Sequence, residues 1–258
     1  MKDILGERDP AVPQTPTRVA EPSRESQLPK RFYKQVGVSE DDGGYQILLD
    51  GSKIKTPGRE TISVSNRSVA DAVAREWDAQ GERIDPMTMP LTRLVNTAID
   101  GVAQDLQAVK EDIIKYSGTD MLCYRAASPE PLVERQRGRW DPLIDWAQAS
   151  LGARFDLAEG VMHVEQPPET IAAFSVHVGA LNEPLLLTAT HVVTTLTGSA
   201  ILAMALVKGE VDVETAWSLA HLDEDWNIEQ WGADEEAEAR RAVRYKDMQA
   251  AGLIVQAM

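Results

Sequence analysis

The feature that most constrains the fold is a change of period along the chain. Between residues 31 and 65 three short runs, FYKQVGV, YQILLDGSKIKT and TISVS, carry β-branched and aromatic residues, separated by Asp42-Gly43-Gly44, Asp50-Gly51 and Pro57-Gly58. An Asp-Gly step between two such runs marks a hairpin, because the tight turn needs positive φ at its central residues. A small antiparallel sheet is therefore expected over residues 31–65.

Helical spacing then takes over. In SNRSVADAVAREWDAQ, Ser65 or Asn66 is placed to cap a helix, Val69, Val73 and Trp77 recur at four-residue steps on one core-facing side, and Gly81 ends the pattern. The stretch IDPMTMPLTRLVNTAID reads as a proline-bounded loop entering a second helix, with Leu91, Leu94, Val95 and Ala98 at core spacing. Further helices are expected over residues 104–117, 129–151, 168–181, 185–207, 212–231 and 233–250, punctuated by Gly118, Gly152, Gly209 and Gly232. The expected fold class is α+β: a small N-terminal antiparallel β-rich domain over residues 29–100, followed by an all-α helical C-terminal domain over residues 101–258. Residues 1–28 are proline-rich and polar without hydrophobic periodicity, and are read as a disordered or loosely ordered tail. That tail holds Asp3, Glu7, Asp9, Glu21 and Glu25, acids that mitochondrial transit peptides avoid, and it lacks the apolar centre that a secretory signal needs.

Composition narrows the function classes. Against 41 Asp and Glu stand 26 Lys and Arg, a net charge of -15, so a phosphate-binding surface would form against the protein's own field and nucleic acid is not an expected partner. The longest apolar-leaning stretch, GSAILAMALVKGE, is too short to span a bilayer, and no membrane insertion is expected. Neither Gly-x-x-x-x-Gly-Lys nor Gly-x-Gly-x-x-Gly occurs, which argues against a nucleotide cofactor. Cys123 is the single cysteine and reads as a buried inert thiol. His163, His177, His191 and His221 form no His-x-x-x-His pair, so structural roles are expected for all of them and no metal site. Ser199 lacks the second glycine of a nucleophile elbow.

The segment LDEDWNIEQWG, residues 222–232, concentrates four acids and two tryptophans. On one helix over 213–231, Leu219, Leu222 and Trp226 fall on one apolar stripe and Trp217, Ile228 and Trp231 on another. Asp225 and Glu229, four apart, read as a solvated edge. Glu224 projects among the second stripe, where a carboxylate is either half of a buried ion pair or part of an interface. Tryptophans anchor protein interfaces, and equally well fill cores.

Four blocks, AVAREWDAQGERIDPMTMPLTRLVNTAID (72–100), GTDMLCYRA (118–126), RWDPLIDWA (139–147) and LDEDWNIEQWG (222–232), resemble in order and spacing the ATP synthase assembly-chaperone family. That resemblance covers residues 31–245 and implies a chaperone rather than an enzyme, with no cofactor, binding the free α subunit of the F-type ATP synthase catalytic head. It implies partner contacts at Glu224, Asp225, Trp226, Glu229 and Trp231, and family-motif positions with structural weight at Trp77, Gln80, Pro90, Arg93, Asn96 and Asp100. Many members carry Tyr-Gln where this chain has Trp226-Asn227, which keeps an aromatic followed by a carboxamide. Relatives occur in mitochondria, where the matrix is the site of action, and in some bacteria; the acidic tail favours the bacterial cytoplasm here. A monomer is expected when the chain is free. A hydrolase using Glu224 with His221 or His191, and a non-selective acidic scaffold, are the competing readings. Because proline-rich polar sequence buries little area, deletion of residues 1–28 is expected to leave capture of the α subunit unchanged in a pull-down. A large loss would make the tail a binding arm.

Overall fold

The structure, a computed structural model, describes residues 28–160 and 163–258. The tail expected over residues 1–28 lies outside the described residues apart from Leu28, whose carbonyl accepts a hydrogen bond from Arg83 Nη1 at 2.5 Å. The N-terminal sheet is built on strand β2 (Gly44–Leu49), which pairs antiparallel with β1 (Val36–Asp41) and, along its other edge, with the short strands β3 (Ser52–Lys53) and β4 (Ser63–Val64). The turns fall on the Asp-Gly steps. Asp50 and Gly51 both have positive φ, 48° and 80°, the backbone a two-residue hairpin loop requires. At Gly58 the need is space: a Cβ there would sit 2.6 Å from the Asp100 carboxylate, which accepts the Gly58 N–H at 2.8 Å and the Thr56 hydroxyl at 2.5 Å.

Helix α1 (Arg67–Asp78) starts where Asn66 Oδ1 accepts the Ser68 N–H at 2.8 Å, and lays Val69, Ala70, Ala72 and Val73 on the sheet. Helix α2 (Pro90–Asp100) has no cap from its own N-terminal residue Met89. Glu76 of α1 supplies it, accepting the Leu91 and Thr92 N–H groups at 2.7 and 2.8 Å and the Thr92 hydroxyl at 2.8 Å. Pro90, at the first turn of α2, has no N–H to satisfy.

The remaining elements are α3 (Leu106–Ser117), β5 (Tyr124–Arg125), α4 (Glu130–Leu151), β6 (Ala158–Glu159), α5 (Pro168–Gly179), α6 (Pro184–Thr197), α7 (Ala200–Val207), α8 (Val213–Ala220), α9 (Leu222–Trp231) and α10 (Glu235–Ala257). Within this helical region β5 and β6 form a short parallel pair. Two long helices expected from the sequence are each divided. The 185–207 helix breaks at Gly198, left-handed at φ 69°, and Ser199 caps the new start through Leu202 N–H at 3.0 Å. The 212–231 helix breaks at His221, whose φ of -108° and ψ of 16° leave the helical region. Helix α10 runs to Ala257, seven residues past its expected end at 250, because Met248, Ala251, Ile254 and Val255 extend its buried face.

One apolar cluster joins the sheet, α1 and α2 to Leu185, Ala189 and Val193 of α6 and to the buried face of α10. Asn66 Nδ2 donates to the Ala257 carbonyl at 2.5 Å, so one side chain serves the start of α1 and the end of α10. The second cluster centres on Trp140, Phe174, Leu202 and Met204. Asp120 lies inside the helical region, fully buried, accepting Leu122 N–H at 3.0 Å and both Ser199 hydroxyl and Ile201 N–H at 2.9 Å. Burial pushes its carboxyl up to about 6 against these hydrogen bonds, which favour the anion.

Trp77 is half-buried against the first cluster, its ring centroid 5.8 Å from that of Tyr33, whose hydroxyl donates to the Trp77 carbonyl at 2.7 Å. Trp77→Arg removes the ring packing and sets a charge against apolar neighbours, and is expected to cost about 3 kcal/mol in denaturant unfolding. Unchanged stability would show that the indole is not part of the core. Asp120 gives a pH signature. Its folded carboxyl holds a proton to higher pH than an unfolded one, so its contribution to stability is fullest below about pH 4 and is lost as pH rises to about 6. Asp120→Asn, whose NH2 must face one of the N–H donors, is expected to destabilise the fold by about 1–3 kcal/mol. It should also flatten the fall in unfolding free energy between those two pH values by up to about 3 kcal/mol. Parallel slopes for the two proteins would place the titration elsewhere.

Candidate functional site

The acidic, tryptophan-bearing segment forms α9, a surface helix anchored at one end by Leu222, which is buried in the second cluster. Helix α4 positions it from one side. Trp140 Nε1 donates to the Leu219 carbonyl at 2.9 Å, and Gln136 Nε2 to Asp223 Oδ1 at 2.8 Å. Arg135 grips Glu229 through two bonds of 2.8 and 2.7 Å, with its guanidinium carbon 4.8 Å from the centre of the Trp226 ring. The hydrogen bonds from Arg135 lower the Glu229 pKa, and the pairing raises that of Arg135. From the other side Arg241 of α10 donates to Asp225 at 2.5 Å. The edge expected to carry two free like charges is thus an edge of two ion pairs to different helices, and their repulsion is offset.

Glu224 is held differently. Among the described residues the basic group within 4 Å of it is His221, with Nε2 at 3.9 Å from the carboxylate. His221 Nδ1 lies 2.8 Å from the Trp217 carbonyl, so that nitrogen carries the proton and donates. Burial lowers the histidine's pKa, which favours the neutral ring and leaves Glu224 without a cationic partner among the described residues. The Glu224 side chain is 42% exposed. Of the two outcomes left open for this carboxylate, the buried ion pair is not the one observed.

The two tryptophans assigned to one stripe with Glu224 are separated by the break at His221. Trp217 is buried in α8, its ring 3.9 Å from that of His221 and 5.2 Å from that of Tyr245. Trp231 ends α9 and is 87% exposed. A groove beside it runs between α9 and the start of α10, lined by Glu224, Asn227, Ile228, Trp231, Asp234 and Glu238 among others. Gly232, at φ 88°, turns the chain from one helix to the next.

The six family-motif residues occupy the α1–α2 region. Gln80 is buried and ties the end of α1 to the following loop, donating to the Glu76 carbonyl and the Thr88 hydroxyl at 3.0 Å and accepting Asp85 N–H at 2.8 Å. Arg93 pairs with Asp247 of α10. Asp100 holds the Thr56–Gly58 turn, Pro90 opens α2, and the half-buried Asn96 and Trp77 complete the set. Trp77 packs in the first cluster while α9 is rooted in the second, so the two sets of residues are held by different parts of the core. Arg135, Gln136 and Arg241 shape α9 and were not singled out from the sequence. Arg135 and Glu229 are 94 residues apart, beyond the reach of any local pattern.

Enzyme chemistry finds little footing in this arrangement. Neither His221 nor His191 lines the groove beside Glu224; His191 pairs with Asp112 at 2.7 Å. Burial raises the Cys123 thiol, opposite to what a nucleophile needs. Among the described residues no group of three or more His, Cys, Asp or Glu is placed to hold a metal ion.

Comparison with known proteins assigns the family. Residues 30–148 match the model of the ATP12 chaperone protein family. The crystal structure of Atp12 from Paracoccus denitrificans superposes with a TM-score of 0.82 at 42% identity, covering 88% of this chain and 97% of that one. A crystal structure of a protein from Agrobacterium tumefaciens, described as a chaperone, gives a TM-score of 0.85 at 53% identity over 92% of this chain and 91% of that one. The mitochondrial protein atp12 of Schizosaccharomyces pombe is 26% identical over 221 residues, 81% of this chain and 75% of its own length. Identity of this degree over nearly the whole length of solved structures, together with the family match, shows that the chain belongs to the ATP12 chaperone family.

Proposed function

We propose that this chain is an assembly chaperone of the F-type ATP synthase that binds the unassembled α subunit and shields its β-facing interface until the β subunit displaces it. A free subunit of a ring exposes a large, partly apolar surface that self-associates unless covered. Family membership supports the chaperone role. The observation that carries the contact surface is Glu224, a half-exposed carboxylate without a cationic partner among the described residues, on the helix that the family resemblance marks. Asp225, Trp226, Glu229 and Trp231 share that helix, with Asp225 and Glu229 fixed by Arg241 and Arg135 so that α9 is presented rigidly. A net charge of -15 favours a protein client over nucleic acid. Among the described residues no helix is long and apolar enough to cross a membrane. The chain acts as a monomer in the bacterial cytoplasm, without a cofactor, in this reading.

Glu224→Gln keeps size and hydrogen-bonding capacity while removing the charge. Its melting temperature is expected to stay within about 2 °C of the parent, as for an exposed substitution, while capture of purified α subunit falls. Destabilisation with binding retained at low temperature would assign Glu224 to the internal architecture. Pull-down from the native host separates the chaperone from the non-selective scaffold, since only the former enriches the α subunit.

A further inference from the structure

Three of the four acids of α9 are tied inside the molecule, Asp223 by Gln136, Asp225 by Arg241 and Glu229 by Arg135, and the three lie away from the groove beside Trp231. The acids that line that groove are Glu224, Asp234 and Glu238, and among the described residues no lysine or arginine lines it. Asp234 caps α10 by accepting the Ala237 N–H at 2.8 Å. The arginines on the neighbouring stretch of α10 are engaged, Arg240 with Glu236, Arg241 with Asp225 and Arg244 with the Leu196 carbonyl. The groove therefore combines an indole face in water, an apolar floor at Ile228, and a surplus of negative charge from two different helices.

We propose that this groove is the seat for an arginine-bearing segment of the client polypeptide, with the guanidinium stacked on Trp231 and paired with Glu224 and Glu238. Arginine fits better than lysine because its flat, weakly hydrated head stacks on an indole while its N–H groups still reach carboxylates at the edge. An exposed tryptophan of this size is an interface anchor when a partner covers it. Gly232 fixes the angle between α9 and α10 and hence the width of the groove. The identity of the client rests on the α-subunit reading above; the chemistry of the groove does not.

The test uses the full chain in two measurements. In the first, the indole N–H signal of Trp231, assigned by its loss in Trp231→Ala, is followed by NMR while a short arginine-rich peptide or an acidic peptide of equal length is added. A saturable shift with the arginine peptide alone is expected. No shift, an equal shift with the acidic peptide, or a shift on concentrating the protein by itself, which would seat a second copy there, each overturns the proposal. In the second, affinity for purified α subunit is measured at low and high salt for Trp231→Ala, Trp231→Phe and Glu238→Gln, all at exposed positions that leave the fold intact by circular dichroism. Trp231→Ala is expected to weaken binding by about tenfold, Trp231→Phe by less, and Glu238→Gln to reduce its salt dependence. Affinity unchanged in both Trp231→Ala and Glu238→Gln would remove the groove from the client interface. Should the parent respond to the arginine peptide yet fail to capture the α subunit, the groove stands and the client assignment falls.

Discussion

The burial of α6 is the constraint on which the rest of the molecule depends. This helix touches α2, α3, α7, α8 and α10, and its residues enter both apolar clusters: Leu185, Ala189 and Val193 face the sheet side, Leu187 the other. Yet four of its buried positions are threonines, whose hydroxyls in an apolar interior cost free energy unless bonded. Each donates to the carbonyl four residues back: Thr188 to Pro184, Thr190 to Leu186, Thr194 to Thr190 and Thr197 to Val193, at 2.7–2.9 Å. These four threonines satisfy their hydroxyls within the helix and turn their methyls to the apolar interior. A Thr-rich segment thereby serves as the central post of the protein.

With that post in place, the ends of the chain are drawn together. Helix α10 packs on α6 and α2, Asn66 joins its last turn to the first turn of α1, and Arg93 pairs with Asp247. Trp77, Arg93 and Asp100 fasten this region, each bonded or packed to a segment distant in sequence, while Gln80 ties the end of α1 to the loop that follows it. Position rather than chemistry gives them their weight. Helix α9 stands on the other cluster, held by α4 and by one arginine of α10, with its free carboxylate and its exposed indole directed at the groove. Rigidity at the base of α9 and unspent charge at its rim suit a surface that waits for a partner, because little ordering remains to be done on binding.

Much of the architecture was legible in local signals. The Asp50-Gly51 turn, the Asn66 cap and the four-residue spacing of Val69, Val73 and Trp77 all depend on neighbours within a few residues, and all recur in the structure. The break at Gly198-Ser199 was also written in the sequence, as a left-handed C-terminal glycine followed by a capping serine, but the apolar run on both sides masked it. No local pattern marks the break at His221. At the break the His221 ring packs on Trp217, which in turn meets Tyr245 of α10, so that Trp217 lies in the core while Trp231 stands in water.

By itself the sequence determined the α+β class, the hairpin turns, most helix positions and, through four motif blocks, the family, because these follow from backbone preference, period and pattern over short distances. Tertiary structure alone decided which acids of LDEDWNIEQWG are free. Asp225 and Glu229 meet Arg241 and Arg135 across 16 and 94 residues of chain, and Glu224 meets a histidine kept neutral by burial. Charge can be counted along a chain, but whether it is neutralised depends on which distant side chains folding brings within a few ångströms.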